Sequence, residues 1–290
     1  MKLPSNQRAN TPTNPEQAAE SSDSGLGWYL YGITLRESAS RLDENLTAER
    51  GEPLHIVEQG RLAAVTRLVP RDAFSPEALQ ARAQDIIWLE EAVRNHNEVV
   101  ERIYHVSAVL PGKFGAVYPT SEALQAALAE THDALLAQLE RLQHRDEWGI
   151  HLYADRQAVQ RLAGEHPSLR QLQDEMAAAS PGRAYLLKRK MADAMTDITE
   201  QALSVLAQTC YRRLAGYAAA GQISPRPPKP ADRGDEREVL HAAFLVERGL
   251  ADDFLREIQR LVQEQEGTRC EYSGPWPPYS FASIDGEEQP

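Results

Sequence analysis

Apolar residues recur with helical spacing along the stretch that follows Ser75. Ser75 suits a helix N-cap and Pro76 suits the first helical position, so the pattern has a well-marked start. We predict one long helix from Ser75 to about Tyr104, with one face turned toward a core. The positions on that face are Leu79, Ile86, Leu89, Val93, His96, Val100 and Ile103.

Short runs rich in aliphatic and aromatic residues lie before and after this helix, and they predict strands. The predicted strands are Trp28 to Ile33, Leu54 to Glu58, Arg61 to Val69 and Val106 to Leu110. Gln59 and Gly60 predict a tight turn, and a short helix with Leu42 and Leu46 on one face is predicted to end at Gly51. The resulting order, β-α-β-β-α-β, is typical of a ferredoxin-like fold.

The second half of the chain predicts longer helices around another sheet. A helix after Pro119 has an apolar stripe of Leu124, Leu128, Thr131, Leu135, Leu139 and Leu142. A strand is predicted at Trp148 to Tyr153, followed by helices from Asp155, from Pro167 and over Arg183 to Tyr217. A strand at Val239 to Glu247, a helix over Leu250 to Gln265 and a strand at Thr268 to Tyr272 complete the order.

These patterns predict an α+β protein of two domains. The N-terminal domain, 28–145, is ferredoxin-like with a trailing helix, and the C-terminal domain, 146–281, is an α+β sheet with long helices. Residues 1–27 are rich in Ser, Asn, Gln, Thr and Pro, which predicts a disordered tail, and residues 282–290 are predicted to be a flexible terminus. Inside the second domain, the prolines of residues 223–238 predict an exposed loop.

The chain has 290 residues, which is enough for two domains with their own cores, and a formal net charge of −12. That acidity disfavours nucleic acid as a partner, because the phosphate backbone would meet an overall repulsive field. Only Cys210 and Cys270 are present, which fits a reducing cytosol rather than a disulfide framework. No run of about 18 apolar residues predicts a membrane span, and the first residues lack the apolar core of a secretory signal.

Among residues with chemistry to offer, His96 is the strongest catalytic candidate. Glu98 is only two positions away, however, and points to a different side of the helix, so a carboxylate would have to come from another segment. We therefore favour a structural histidine. The other histidines show no metal-ligand spacing, and the Pro111 to Gly115 loop lacks the phosphate-binding glycine pattern, so neither a metal site nor a cofactor is predicted.

Two segments suit contact with another protein. Lys188 to Lys190 form a basic triplet, either a solvated helix turn, which we favour, or a docking point for an acidic partner. In the segment from Ser273 to Phe281, prolines hold the chain extended while aromatic residues supply apolar surface. It either clasps its own domain or meets another protein.

Several of these stretches together resemble one protein family. HNEVVERI followed by VLPGKFGAVY, then AFLVERGLADDFLREI and SGPWPPYSF, are similar to the gas vesicle GvpF/GvpL family, over roughly residues 28–281. The family's loop resembles Pro-(Leu/Met)-Arg-Phe-Gly, whereas here Gly112 and Lys113 precede Phe114, which keeps a positive charge but loses the planar guanidinium.

The resemblance implies a non-enzymatic protein of gas vesicle formation, cytoplasmic and gas vesicle associated. It implies binding to the small hydrophobic shell protein GvpA and to other accessory proteins, and two linked α+β domains of ferredoxin-like character. From composition we expect the partner-binding residues to be Lys113, Phe114, Lys188, Arg189, Trp276, Tyr279 and Phe281. The alternatives are a cytosolic enzyme with a site centred on His96, and a ferredoxin-like regulatory or nucleic-acid-binding module.

Overall fold

A computed structural model describes residues 25–42, 52–225 and 235–282. Their contacts divide the chain into two compact units, one formed by the described residues up to Gln143 and one by His144–Phe281. Most of the tail expected at 1–27, the terminus from 283, the centre of the proline-rich loop and most of the short helix ending at Gly51 lie outside the described residues.

The N-terminal unit consists of five strands and five α-helices among its described residues. The strands are β1 (Leu26–Leu35), β2 (His55–Gln59), β3 (Leu62–Pro70), β4 (Leu110–Pro111) and β5 (Val117–Tyr118). The helices are α1 (Arg36–Ala39), α2 (Pro76–Arg82), α3 (Ile86–Val106), α4 (Ser121–Glu130) and α5 (His132–Leu142), with a 3₁₀ turn at Asp72–Phe74.

The strands of this unit form an antiparallel sheet in the order β2-β3-β1-β4, and β5 also pairs with β1. In a split β-α-β arrangement, one strand lies between the two strands that a crossover joins. Here β3 lies between β1 and β2, and β1 lies between β3 and β4. Helices α3 and α5 both contact β1. The antiparallel sheet with helices packed on it confirms the predicted α+β class.

The long helix predicted from Ser75 is instead two helices, so that prediction was wrong. Ser75 does cap α2, by accepting a hydrogen bond from the Ala78 amide, but the chain turns after Arg82. Asp85 then caps α3 by accepting hydrogen bonds from the next turn, because its short carboxylate competes with continuation of the helix. One consequence is that Ile86 is 68% exposed rather than part of the core face.

The helix predicted after Pro119 is also divided, at Thr131, whose backbone leaves helical geometry. The leucines of the predicted stripe are nevertheless buried, in both α4 and α5. The strand predicted from Val106 starts only at Leu110, because α3 continues through Val106.

The C-terminal unit is built on a second antiparallel sheet, in the order β7-β8-β6-β9. Its strands are β6 (Arg145–Asp155), β7 (Ala220–Ile223), β8 (Glu236–Glu247) and β9 (Thr268–Trp276). Its helices are α6 (Arg156–Ala163), α7 (Pro167–Ala177), α8 (Pro181–Ala215) and α9 (Ala251–Glu264), with a 3₁₀ turn at Arg248–Leu250. Strand β7 was not predicted, and the loop expected at 223–238 is shorter, because both of its ends belong to strands.

A chain of buried hydrogen bonds joins α3 and β1 to the loop after β4. His96 Nε2 lies 3.1 Å from the Gly112 carbonyl oxygen, which can only accept, so Nε2 carries the hydrogen. The Tyr29 hydroxyl then donates to His96 Nδ1 at 2.8 Å, and the Tyr29 oxygen accepts from the Gly115 amide at 3.4 Å. Both ends of the loop are therefore fixed through one histidine and one tyrosine.

Gly112 is needed where it is because the loop lies directly on the backbone of β1. Its amide donates to the Tyr31 carbonyl oxygen at 2.8 Å, and a Cβ atom built on it would lie 2.5 Å from the Leu30 carbonyl oxygen. No side chain fits in that space unless the backbone moves.

We expect Gly112→Ala to lower the free energy of unfolding of the N-terminal unit by about 2 kcal/mol, because the added methyl group overpacks a rigid backbone contact. Urea denaturation followed by circular dichroism measures this. The neighbouring Lys113→Ala, at an exposed position, serves as the control and should change the midpoint little. Equal stability of the two variants would contradict the close contact.

We also expect the stability of this unit to fall in acid because of His96. Burial lowers the pKa of His96 from 6.5 to about 4, since imidazolium is disfavoured away from water. Between those pH values the unfolded chain binds the proton and the folded chain does not, so the free energy of unfolding falls as pH drops. The full loss is about 3 kcal/mol, at ~1.4 kcal/mol per pH unit.

His96→Gln should remove most of this pH dependence, so the stability difference between the wild type and the variant should shrink as pH is lowered from 7 to 4. Urea titrations at several pH values measure it. His105→Gln, at an exposed position of the same helix, is the control and should parallel the wild type. Parallel profiles for His96→Gln and the wild type would disprove the explanation.

Candidate protein-binding surfaces

A groove of about 420 Å³ opens on the N-terminal unit beside His96. Its walls carry an unusual number of aromatic side chains, namely Tyr29, Tyr31, Phe74, Trp88 and Phe114. They come from β1, the 3₁₀ turn before α2, the first turn of α3 and the loop after β4. The groove therefore depends on the same hydrogen bonds that hold the loop in place.

Charged residues lie among these rings and are themselves engaged. Arg67 of β3 forms an ion pair with Glu52, and the Arg82 guanidinium lies 5.4 Å from the centre of the Trp88 ring. Within the part of the chain that the structure describes, the buried Arg67 Nε has no hydrogen-bond acceptor. The groove thus combines aromatic surface with two cationic side chains that already have partners.

His96 lines this groove, but its surroundings are those of a structural histidine. The residue is 4% exposed, and its two ring nitrogens are held by a phenol and a backbone carbonyl rather than by a carboxylate. Its lowered pKa keeps the ring neutral at physiological pH. The His96-centred enzyme was expected to need an acid orienting the ring, and these hydrogen bonds do not supply one.

The structure places Lys113 and Phe114 side by side in the loop after β4. Phe114 is half-buried with its ring 6.0 Å from that of His96, so it forms part of the groove wall. Lys113 is exposed. Of these two predicted residues, Phe114 therefore forms part of the groove wall and Lys113 is an exposed charge.

The segment from Ser273 to Phe281 is in contact with its own unit at one part and exposed at another. Pro277 and Pro278 are buried, and Ser280 donates to the Glu147 carboxylate through both its amide and its hydroxyl, each at 2.7 Å. Trp276 and Tyr279 remain 43% and 37% exposed. The segment is thus anchored on its own unit while it displays aromatic rings.

Glu147 is the anchor for this segment and is itself buried. Burial raises the pKa of this carboxyl, and the two hydrogen bonds from Ser280 act in the opposite direction. Phe281 follows the anchor and is half-buried. Tyr272, earlier in β9, is 49% exposed and extends the aromatic surface.

Lys188 and Arg189 lie exposed in the first half of α8. Leu187, which directly precedes these charges, is buried against Leu169 and Leu172 of α7. This contact fixes the orientation of α8. Tyr185 and Leu186 are 73% and 66% exposed. The basic triplet is therefore exposed, as a solvated helix turn would be, and it adjoins exposed apolar side chains.

The seven residues predicted to bind partners lie in three separate segments of the chain. The groove residues Tyr31, Arg67, Phe74 and Trp88 were not predicted. Trp88 follows two isoleucines at the start of α3, and this cluster of apolar residues so near a helix N-terminus was an available signal. The others come from distant segments that only the folded sheet brings together.

Among the described residues, no helix combines the length and the apolar composition that a membrane span requires. A family model described as gas vesicle synthesis protein GvpL/GvpF matches residues 27–283. Gas vesicle protein L of Streptomyces sp. (strain CB03234) is 33% identical over 265 residues, which cover 90% of this chain and 94% of the relative. Gas vesicle protein F of the same strain is 29% identical and covers 88% of this chain and 99% of the relative.

Solved structures agree in fold. The crystal structure of the gas vesicle protein GvpF from Anabaena sp. PCC7120 superposes with a TM-score of 0.62 at 20% identity, covering 89% of this chain and 99% of that one. GvpF from Microcystis aeruginosa gives a TM-score of 0.55 at 19% identity. With the fold, the motif order and the family match in agreement, the chain belongs to the GvpL/GvpF family of gas vesicle proteins.

Proposed function

We propose that this protein is an assembly factor or minor structural component that binds the hydrophobic shell protein GvpA and other gas vesicle accessory proteins, working in the cytoplasm and on the gas vesicle. The family supplies the gas vesicle role. The observation that carries the proposal is the set of exposed aromatic side chains on β9 and the anchored turn after it, Tyr272, Trp276 and Tyr279.

These residues suit an apolar protein partner for two reasons. Tyrosine and tryptophan give large contact areas with little loss of side-chain entropy, and they dominate binding energy at protein interfaces. Strand β9 is also an edge of its sheet, where backbone groups are open to pairing with a strand of another chain. A hydrophobic shell subunit kept from aggregating would offer apolar side chains to this surface.

Anchoring of the segment strengthens the proposal. The two hydrogen bonds from Ser280 to Glu147 and the burial of Pro277 and Pro278 hold the segment in place before any partner arrives. A preformed surface loses less conformational entropy on binding than a flexible one. Less of the binding energy of the aromatic rings is therefore offset by lost conformational entropy.

The exposed Lys188 and Arg189 support a second contact, with acidic accessory proteins. The chain as a whole has a formal net charge of −12, so a local basic site is where an acidic partner meets least repulsion. Tyr185 and Leu186 beside the charges add apolar contact area.

We expect the double substitution Trp276→Ala and Tyr279→Ala to reduce co-purification of co-expressed GvpA at least tenfold, because interface aromatic residues commonly contribute about 2 kcal/mol or more each. Quantitative recovery of GvpA on the immobilised protein measures this. Leu162→Ala, which removes a 58% exposed apolar side chain from α6, is the control. Full recovery with the double variant, provided that its circular dichroism is unchanged, would remove this segment from the interface.

We expect Lys188→Glu combined with Arg189→Glu to weaken binding of acidic accessory gas vesicle proteins several-fold and to flatten its dependence on salt, while GvpA recovery stays unchanged. Pull-downs at low and high salt with each accessory protein in turn measure this. Arg161→Glu combined with Arg170→Glu, at exposed positions of α6 and α7, makes the same change in net charge and is the control. Equal losses from both charge reversals would show that overall charge, and not this site, is responsible.

A further inference from the structure

Two histidines face each other on neighbouring strands of the C-terminal sheet. His151 of β6 and His241 of β8 are direct partners in the antiparallel register. Their rings stack with centroids 4.1 Å apart and planes 22° apart. Residues paired in this way share one face of a sheet, so the two imidazoles point to the same side.

A bulge brings a carboxylate to the same place. Strict alternation would put Glu238 on the opposite face from His241, because three positions separate them in β8. The register shifts beside Leu152, however, so that Val239 is an extra residue and Glu238 pairs with Tyr153. The Glu238 carboxylate then lies 2.6 Å from His151 Nδ1.

We propose that His151, Glu238 and His241 form a binding site for a divalent first-row transition-metal ion, best represented by Zn²⁺. Their ligand atoms all lie within 4.8 Å of one another. Ligand atoms about 2.1 Å from a tetrahedral ion are about 3.4 Å apart, so modest side-chain rotations bring all three into range. Two imidazole nitrogens with one carboxylate oxygen suit zinc and its neighbours, whereas Mg²⁺ and Ca²⁺ prefer sites made only of oxygen.

The hydrogen bonding prepares the first histidine for this role. Glu238 is 2% exposed, and its carboxylate can only accept, so His151 Nδ1 carries the hydrogen of that bond. A metal ion would replace that hydrogen and lie between Nδ1 and the Glu238 carboxylate, with the hydrogen of the neutral ring on Nε2.

A metal ion at this point would connect β6 and β8, the two central strands of the sheet. An ion that binds the folded unit and not the unfolded chain stabilises the folded unit by mass action. The proposed site is thus a structural link between two strands.

The test is zinc binding to the untagged, full-length protein after treatment with a chelator. Isothermal titration with ZnCl₂ at pH 7.5 should give one ion per chain with micromolar or tighter affinity, and zinc should raise the thermal unfolding temperature. His151→Ala and His241→Ala should each weaken binding at least tenfold and remove the thermal shift. Mg²⁺ in place of Zn²⁺ should give neither signal.

His132→Ala is the matched control, since His132 is also a partly exposed histidine that contacts a carboxylate, that of Asp133. It should bind zinc as the wild type does. Absence of saturable zinc binding, or equal binding by the wild type, His151→Ala and His241→Ala, would overturn the proposal and leave the cluster as an ordinary hydrogen-bonded pair with a stacked ring. Co²⁺ absorption that depends on both histidines would further support direct ligation.

Discussion

The N-terminal unit depends on burial of strand β1 on both faces. Nine of its ten residues are buried, and successive side chains of a strand point to opposite sides, so helices must cover the sheet from both directions. Helices α3 and α5 both contact β1, and β3, β4 and β5 all pair with it. The loop after β4 reaches β1 so closely that Gly112 leaves no room for a side chain. The aromatic groove exists because this arrangement holds the loop and α3 together.

In the C-terminal unit, the need to bury apolar strand residues under helices leads to a different surface. Helices α8 and α9 cover one face of its sheet, with Phe244 and Phe254 among the fully buried side chains. What remains outside is the edge at β9, the aromatic turn that follows it and the polar face on which His151 and His241 stack. Exposed features of this unit are thus placed by the parts of the sheet that its own helices do not reach.

Local signals in the sequence predicted most elements but not their interruptions. The alternation around Trp148 and the spacing of Phe254, Ile258 and Leu261 predicted β6 and α9, because each reflects one buried face. Periodicity could not show that Asp85 would cap a new helix, since apolar spacing continues across the break. The pairing of His151 with His241 and the bulge that admits Glu238 depend on register between strands 87 or more residues apart, about which neither segment alone carries information.

The proposed contact with a hydrophobic partner has to be reconciled with the acidity of the protein. A formal net charge of −12 opposes self-association, and the exposed large apolar side chains of the described residues are spread over separate segments. Such a surface does not gain affinity from broad apolar area. Affinity must instead come from a few fixed side chains, and this is why the bonds from Ser280 to Glu147 matter as much as the rings of Trp276 and Tyr279. The same fixation keeps those rings from collapsing onto the unit that carries them.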